Sequence, residues 1–269
     1  MIKSIHHFFH RHLPGYYRLY KWLMIGAWFV RSIRTLQPRS VLRYLRLRSG
    51  GGTAGDCFAL HFRAHREPAW VRAKSSDILV FEQIFLKEEY RTVSLEDPSW
   101  IMDAGANIGL ASLYCLFKYP MVRVLAIEPS PSNFVIMSKN LAPFTIRCIL
   151  LRAAVWRETG SVKLRFEGVP KAEWAIQVRT DDDGDVPAFD VGTLLKQHGI
   201  GHLSLLKIDV EGAEEEIFSA DISWLAQVET MAIELHGLRA LELVDARARN
   251  RFSEIRQDRE IRTYSKPRS

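Results

Sequence analysis

Two carboxylates, each placed at the end of an apolar run, are the first residues in this sequence whose spacing indicates chemistry. Asp103 follows Trp100-Ile-Met, and the glycine turn at 105–109 follows Asp103 almost at once. Glu128 ends a second apolar run, where a carboxylate about 20 residues after the first strand can bind ribose hydroxyls. The turn reads Gly-x-x-x-Gly and lacks the Gly-x-Gly-x-x-Gly spacing of pyrophosphate sites. It therefore predicts a nucleoside ligand without a phosphate, such as S-adenosylmethionine (SAM), against the alternative of an ordinary strand-to-helix turn.

A second polar cluster follows two later apolar runs. Strand side chains alternate, so Lys207, Asp209 and Glu211 are predicted to share one face, and Glu234 and His236 a face of the next strand. In a doubly wound sheet these strand ends lie beside the glycine turn, at the switch point where ligands bind. Charged side chains within such apolar runs are costly to bury without a partner or a purpose.

These five groups converge on the place where a bound SAM would present its methyl group, and they could remove a proton from a methyl acceptor. His236 is the predicted base, since its unperturbed pKa of about 6.5 leaves it mostly neutral at pH 7. Glu234 or Asp209 would orient it, Glu211 would bind acceptor hydroxyls, and Lys207 would pair with the carboxylates. Asp209, Glu234 and His236 could instead hold Mg²⁺ or Mn²⁺. The structural alternative is that Asp209 and Glu211 cap the next helix and His236 is a core residue.

The elements that must position these residues alternate between strand and helix from residue 100 onward, which predicts a parallel sheet. Two alternating segments near the C-terminus, 251–256 and 259–264, predict an antiparallel hairpin at its edge. The expected fold is α/β, a doubly wound, Rossmann-like, mostly parallel seven-stranded sheet. The remaining predicted strands are 100–103, 122–127, 146–150, 203–210 and 228–235, with helices at 109–118 and 131–141 and an antiparallel excursion at 161–166 and 174–178.

Residues 56–99 form a predicted lead-in to this sheet. Two short strands, 57–62 and 69–73, precede a helix at 78–85 for which Ser75-Ser-Asp77 offers an N-cap. The acidic run 181–185, between later strands, is predicted to be a solvated turn because it lacks the spacing of a calcium loop.

Three stretches resemble the FkbM family of SAM-dependent methyltransferases: 100–112, Ala126-Ile-Glu-Pro-Ser130 and, above all, Leu206-Lys-Ile-Asp-Val-Glu-Gly-Ala-Glu214. The resemblance covers about residues 70–265. It implies O-methylation of a sugar, glycan, glycolipid or related metabolite. It also implies a set of cofactor-binding residues: Asp103, Gly105, Ala106, Asn107, Gly109, Glu128, Pro129, Ala153, Ala154 and Asp209.

Positive charge is concentrated at the N-terminus. Residues 1–55 contain ten Lys or Arg and no Asp or Glu, whereas the rest of the 269-residue chain has 27 basic and 31 acidic side chains. The apolar run Trp22 to Val30 is far shorter than the roughly 20 residues that span a bilayer. We therefore expect a helical, basic and aromatic arm with a glycine linker at 1–55, and a methyltransferase domain at 56–269. The arm would lie on an anionic membrane surface or, alternatively, pack on the domain.

Other function classes remain open. An RNA ribose 2′-O-methyltransferase would use the basic arm to bind phosphates, and a membrane-associated scaffold would keep the fold without catalysis. The Asp/Asn-Pro-Pro-Tyr/Phe signature of amino-group methylation is absent after residue 208. Three widely spaced cysteines favour a reducing compartment. The expected location is the cytoplasm, peripherally at the inner face of the membrane.

Overall fold

Seven strands form the central sheet of the computed structural model, which describes residues 28–166, 176–180 and 186–266. The strands of this sheet are β3 (Trp100–Ala104), β4 (Arg123–Ile127), β5 (Cys148–Leu151), β10 (Leu203–Ile208), β11 (Val228–Glu234), β12 (Glu254–Asp258) and β13 (Ile261–Ser265). In space their order is β12-β13-β11-β10-β3-β4-β5. The predicted doubly wound, seven-stranded α/β sheet is confirmed.

The order of the strands creates the switch point. The chain passes outward from β3 to β4 and β5, then returns to pair β10 with the other side of β3 in parallel register. The carboxyl ends of β3 and β10 are therefore neighbours, with Asp103 opposite Lys207. Ligands of open α/β sheets bind at this position.

Both faces of the sheet are covered, as the apolar strands require. Successive residues of β3 belong to different cores: Ile101 packs with one hydrophobic cluster and Met102 with the other. Helices supply the covering layers: α2 (Pro38–Arg48), α3 (Asp77–Phe81), α4 (Leu110–Lys118), α5 (Pro131–Leu141), α6 (Val191–Gln197), α7 (Glu214–Ser219) and α8 (Leu238–Ala248), while α1 denotes the helical residues 28–35.

Short elements connect these layers. The two short strands predicted at 57–62 and 69–73 are β1 (Cys57–Leu60) and β2 (Ala69–Arg72), and they pair antiparallel. The strands β6 (Ala154–Val155), β7 (Gly160–Phe166), β8 (Ile176–Thr180) and β9 (Val186–Phe189) form a separate four-stranded sheet, in which β7 and β8 are the predicted antiparallel excursion. A π-helix, Glu82–Leu86, extends α3, and 3₁₀-helices occupy Ala142–Arg147 and Ser223–Gln227. The predicted turn at 181–185 lies outside the described residues.

The described part of the arm packs on the rest of the chain. Leu36, Val41, Tyr44 and Leu47 are buried in the same hydrophobic cluster as β3 and α4. The Tyr44 hydroxyl donates to Oε1 of Glu82 at 2.8 Å. Of the two arrangements that the sequence left open for the arm, residues 28–48 adopt the packed one. The domain boundary near residue 55 remains a prediction.

One local prediction is confirmed and another is corrected. The predicted antiparallel hairpin lies at the edge of the sheet, with β12 outermost and β13 pairing antiparallel with both β12 and β11. The carboxylate of Asp77 does not cap its helix: it accepts hydrogen bonds from Arg72 Nε and Nη2, both at 2.8 Å. Burial explains why Asp77 pairs with Arg72, since a completely buried carboxylate needs a charged partner.

Within the described ranges, no helix combines the length and the apolar character needed to cross a bilayer.

Candidate active site

The glycine turn after β3 is pressed against the end of β10. A Cβ on Gly105 would collide with the backbone oxygen of Asp209, and the φ of Gly105 is +75°. Position 105 therefore requires glycine. Other residues rarely adopt a positive φ, and their Cβ would have no room beside the Asp209 carbonyl. The Asp209 amide donates to Ala104 O at 3.0 Å, which holds the two chain segments together.

Lys207 and Asp103 form the buried base of the turn. Lys207 Nζ lies 3.0 Å from Asp103 Oδ1 and 3.5 Å from Asp209 Oδ2, and it donates to Gly105 O at 2.6 Å. The Ser112 hydroxyl donates to Asp103 Oδ2 at 2.6 Å. Burial acts to lower the pKa of Lys207, but the charges of Asp103 and Asp209 outweigh it and raise that pKa. Lys207 therefore carries a positive charge and pairs with carboxylates, as the sequence indicated.

Asp103 has a different position from the one expected of a ligand-binding carboxylate. It is only 1% exposed, and its two oxygens face Lys207 and Ser112. In this geometry Asp103 supports the turn from below. A direct contact between Asp103 and a cofactor remains a prediction.

Glu128 lies at the end of β4 and contacts the same turn. Its Oε2 accepts a hydrogen bond from the backbone N–H of Asn107 at 2.8 Å, and its Oε1 accepts one from the backbone N–H of Ser130 at 3.0 Å. Burial raises the pKa of Glu128 to about 7, although these hydrogen bonds act in the opposite direction. The carboxylate is thus fixed beside the turn, where a ribose would be bound in this type of fold.

The other predicted cofactor residues surround the turn to different extents. Ala106 and Asn107 line a cavity beside it, and Gly109 has a φ of +79° at the start of α4. Ala153 and Ala154 are buried, and Ala154 pairs with Ala188 of β9. Pro129 directly follows Glu128 and is half-buried. None of these last three is among the residues that line the cavity.

The cavity has a volume of about 380 Å³, and all five predicted catalytic residues line it. β10 ends at Ile208, so Asp209 and Glu211 project from the following loop and not from one face of the strand. They still converge with Glu234 and His236, which come from the end of β11 and the residues just after it. Lining residues to which the sequence gave no role are Val80, Gln83, Ile84, Glu89, Tyr90, Leu110, Ala111 and Glu260.

His236 is held between carboxylates. Its Nδ1 lies 2.9 Å from Glu214 Oε1, and its Nε2 lies 3.3 Å from Glu211 Oε2 and 3.7 Å from Glu234 Oε1. Glu214 is completely buried. Glu214 is thus the carboxylate that holds the ring through Nδ1. That Glu234 or Asp209 also orients the ring remains a prediction. Glu214 ends the Lys-Ile-Asp-Val-Glu-Gly-Ala-Glu string, but its spacing from the other polar residues gave no signal that it faces His236.

The electrostatics of this cluster revise the expected protonation of the histidine. The hydrogen bond to Glu214 raises the pKa of His236 to about 9, with further contributions from Glu211 and Glu234. Burial, followed by the charge of Asp209, raises the pKa of Glu211 to about 7 and that of Glu234 to about 8. His236 is therefore charged at pH 7, and the prediction that it is mostly neutral was wrong for this environment.

Three of these side chains could also hold a divalent cation. Asp209, Glu211 and His236 each offer one ligand atom, and these atoms lie within 4.8 Å of one another. The Nδ1 contact to Glu214 leaves Nε2 as the free ligand, an arrangement common for metal-binding histidines. Glu211 takes the place that the sequence assigned to Glu234. Oxygen ligands with one imidazole suit Mg²⁺ or Mn²⁺.

Comparison with known proteins gives one family. Residues 103–264 match the model of the Methyltransferase FkbM domain. Methyltransferase sdnD of Sordaria araneosa is 31% identical over 51% of this chain and 66% of its own length. Hexuronic acid methyltransferase AglP of Haloferax volcanii is 28% identical over 52% of this chain and 57% of its own length. The 31-O-demethyl-FK506 methyltransferase FkbM of Streptomyces tacrolimicus is 26% identical over 62% of this chain and 77% of its own length.

Proposed function

The chain belongs to the FkbM family of methyltransferases, and on this basis we propose that it transfers a methyl group from SAM to a hydroxyl of a small polar acceptor. One observation carries the proposal: the cavity that contains the five polar groups opens directly beside the glycine turn. SAM bound along the turn would direct its methyl group into this cavity. The acceptor would enter from the opposite side.

The acceptor is proposed to be a sugar, a glycan or a related polyhydroxyl metabolite. Five carboxylates line the cavity (Glu89, Asp209, Glu211, Glu234 and Glu260), with Lys207 and His236 as the basic groups. Carboxylates accept hydrogen bonds from hydroxyls and repel phosphates. This charge favours an uncharged polyol over RNA at the reacting centre. The name of one relative, a 31-O-demethyl-FK506 methyltransferase, agrees with a hydroxyl as the acceptor group.

Methyl transfer requires that the acceptor oxygen is aligned with the sulfonium and loses its proton. Alignment of the reactants can supply roughly 7–11 kcal/mol, and a positioned base a further factor of about 10²–10⁴. We assign the base to Glu211 in the resting enzyme, since its pKa of about 7 lies near working pH. His236, charged and oriented by Glu214, contacts Glu211 through Nε2 and would stabilise its ionised form.

The pH dependence of the rate tests this assignment. If Glu211 is the base, kcat should rise with an apparent pKa near 7, and Glu211→Gln should remove most of the turnover while SAM binds within a few-fold of normal. A rise centred near 9 would instead make neutral His236 the base. Full activity of both Glu211→Gln and His236→Ala would exclude the cluster from the reaction.

Metal dependence is a separate question about the same side chains. Binding of Mn²⁺, followed by electron paramagnetic resonance, reports occupancy of the Asp209–Glu211–His236 group without relying on turnover. A metal-dependent reaction predicts a bound-Mn²⁺ signal that Asp209→Asn removes, and activity that a chelator abolishes and Mg²⁺ or Mn²⁺ restores. Activity that survives exhaustive chelation would support proton transfer by the side chains alone.

Cofactor and acceptor need independent tests. Calorimetry should show one SAM site, and Glu128→Ala should weaken it by about 1.5–3 kcal/mol through loss of a charge-assisted hydrogen bond. Binding of NADH in place of SAM would contradict the cofactor assignment. Radiolabelled SAM, incubated with glycan, lipid and RNA fractions, should label the glycan or glycolipid fraction. Label in RNA alone would favour the ribose methyltransferase.

A further inference from the structure

We infer that the outer face of α1 and α2 is a docking surface for an anionic membrane. This face, called the basic face below, consists of the exposed side chains Phe29, Val30, Ile33, Arg34, Arg39, Leu42, Leu45 and Arg46. The inference does not depend on the proposed reaction, because it rests on the outer side of these helices and not on the cavity.

Exposed apolar side chains are concentrated on the basic face. Of the nine large hydrophobic residues that are exposed in the described part of the chain, five lie between positions 29 and 45. Leu42 is 70% exposed, and the exposed fractions of Phe29 and Val30 are 43% and 46%. Single exposed apolar residues are ordinary, but five of them on two consecutive helices indicate an interaction surface.

The charges of the basic face all have the same sign. Residues 1–55 contain no carboxylate, so nothing within this segment neutralises its arginines. Arg43 and Arg48 are held by contacts to the domain, Arg43 to Ala59 O and Arg48 to Glu82. Arg34, Arg39 and Arg46 are exposed, and none of them forms an ion pair among the residues that the structure describes. These three are available to an anionic partner.

The combination of arginines with exposed apolar side chains favours a lipid surface as the partner of the basic face, over RNA or a second copy of the chain. Arginines beside inserted Phe and Leu side chains are typical of helices that lie in a membrane interface. RNA would use the arginines but leave the aliphatic side chains exposed, and only Phe29 could stack on a base. A second copy of the chain would place like charges against each other. Each basic residue near an anionic bilayer contributes about 1 kcal/mol, about fivefold in affinity.

The basic face is one helix away from the cavity. The inner side of α2 contacts Glu82 through Tyr44 and Arg48, and the adjacent Gln83 lines the cavity. Arg31 Nη1 of α1 donates to Leu86 O at the end of the same helix. A bilayer against the basic face would therefore lie close to the side of the cavity that Gln83 lines. An acceptor carried by a lipid fits this arrangement.

Flotation with the full-length protein tests the docking surface. Vesicles of phosphatidylcholine with about 30% phosphatidylglycerol should bind the protein, and pure phosphatidylcholine vesicles should not. The double variant Arg39→Gln/Arg46→Gln should lower the partition coefficient about 30-fold, and Leu42→Ser should lower it several-fold even at high salt. Ile146→Ser, at an apolar residue that is 95% exposed elsewhere, and Arg251→Gln are the matched controls and should bind as the wild type does.

Three results would overturn the inference. Equal binding of wild type and both basic-face variants would show that the basic face does not contact lipid. Loss of binding in Ile146→Ser or Arg251→Gln as well would show a nonspecific effect of charge and apolar area. RNA that displaces the protein from vesicles at equal charge concentration would make nucleic acid the partner. Calorimetric titration with SAM, run on the same variants, separates failure of docking from failure of the proposed reaction.

Discussion

Nδ1 of His236 lies 2.9 Å from Oε1 of Glu214, a carboxylate that the fold buries completely. The second oxygen, Oε2, is also buried and has no hydrogen-bond partner among the described residues. A carboxylate with so few partners depends on the positive charge of the ring, and the ring is in turn kept charged by it. This pair determines the direction in which Nε2 points, toward Glu211 and the cavity.

Glu214→Gln should lower the pKa of His236 from about 9 toward its ordinary value near 6.5. The amide keeps the size of the side chain but removes the charge that favours the imidazolium. Titration of the ring protons by NMR measures the shift directly. Glu215→Gln, on the next residue and half-exposed, is the control and should leave the histidine titration almost unchanged. An unaltered His236 pKa in Glu214→Gln would show that Glu211 and Glu234 determine it.

The free energy of unfolding should fall as the pH rises from about 6.5 to 9. The folded-state pKa of His236 is raised to about 9, so its contribution is complete below 6.5 and is lost as the pH rises through 9. Glu211 and Glu234, with pKa values raised to about 7 and 8, act in the same direction, because folding favours their protonated forms. Urea unfolding at a series of pH values measures the slope. Glu234→Gln should make it shallower, and a stability that increases over this range would contradict the assigned shifts.

Gly105→Ala should destabilise the protein by about 2–5 kcal/mol and abolish SAM binding. The left-handed conformation alone costs a residue with a side chain roughly 1–2 kcal/mol, and displacing the Asp209 carbonyl adds an overpacking cost of about 1–3 kcal/mol. Gly199→Ala isolates the first term, since Gly199 has a φ of +63° and no described atom lies within 4 Å of the position that a methyl group would take there. Equal losses of thermal stability in the two variants would mean that the contact with Asp209 relaxes at no cost.

Asp77→Ala should destabilise the protein by about 3–5 kcal/mol, because it removes the carboxylate that forms a buried two-contact ion pair with Arg72. Loss of a simple helix cap would cost only about 1 kcal/mol. The size of the effect in urea unfolding therefore distinguishes the two roles. Ser75→Ala, beside it, should cost about 1 kcal/mol or less. If the two variants lose similar stability, the ion pair contributes little.

The strand pattern and the glycine turn could be read from the sequence because they depend on local order. Ile101 and Met102 are apolar, and Gly105 follows at a tight turn. Lys207 and Asp209 likewise stand at the end of an apolar run, that of β10. The convergence of Asp209 and His236 also followed from the rule that parallel strands end at one edge of the sheet.

Other features depend on contacts that no local pattern contains. The role of Glu214 depends on a partner 22 residues away, and that of Asp77 on the burial of Arg72. The pKa of His236 is the sum of several charges at distances known only in three dimensions. The packing of α2 was one of two equal alternatives, because a basic amphipathic helix has the same pattern on a membrane and on a protein core.

The pairing of β3 with β10 has a consequence for the order in which the protein can assemble during synthesis. Lys207, which supports the glycine turn, lies 102 positions after Gly105 in the sequence. A nascent chain therefore completes β3 and β4 long before β10 leaves the ribosome, and contacts across so long a loop form slowly. Until then β3 has one unpaired edge, and such edges readily pair with other chains. SAM can stabilise the nascent chain only late, after β10 has been translated, so the earlier stages are those at which we expect a chaperone to be needed.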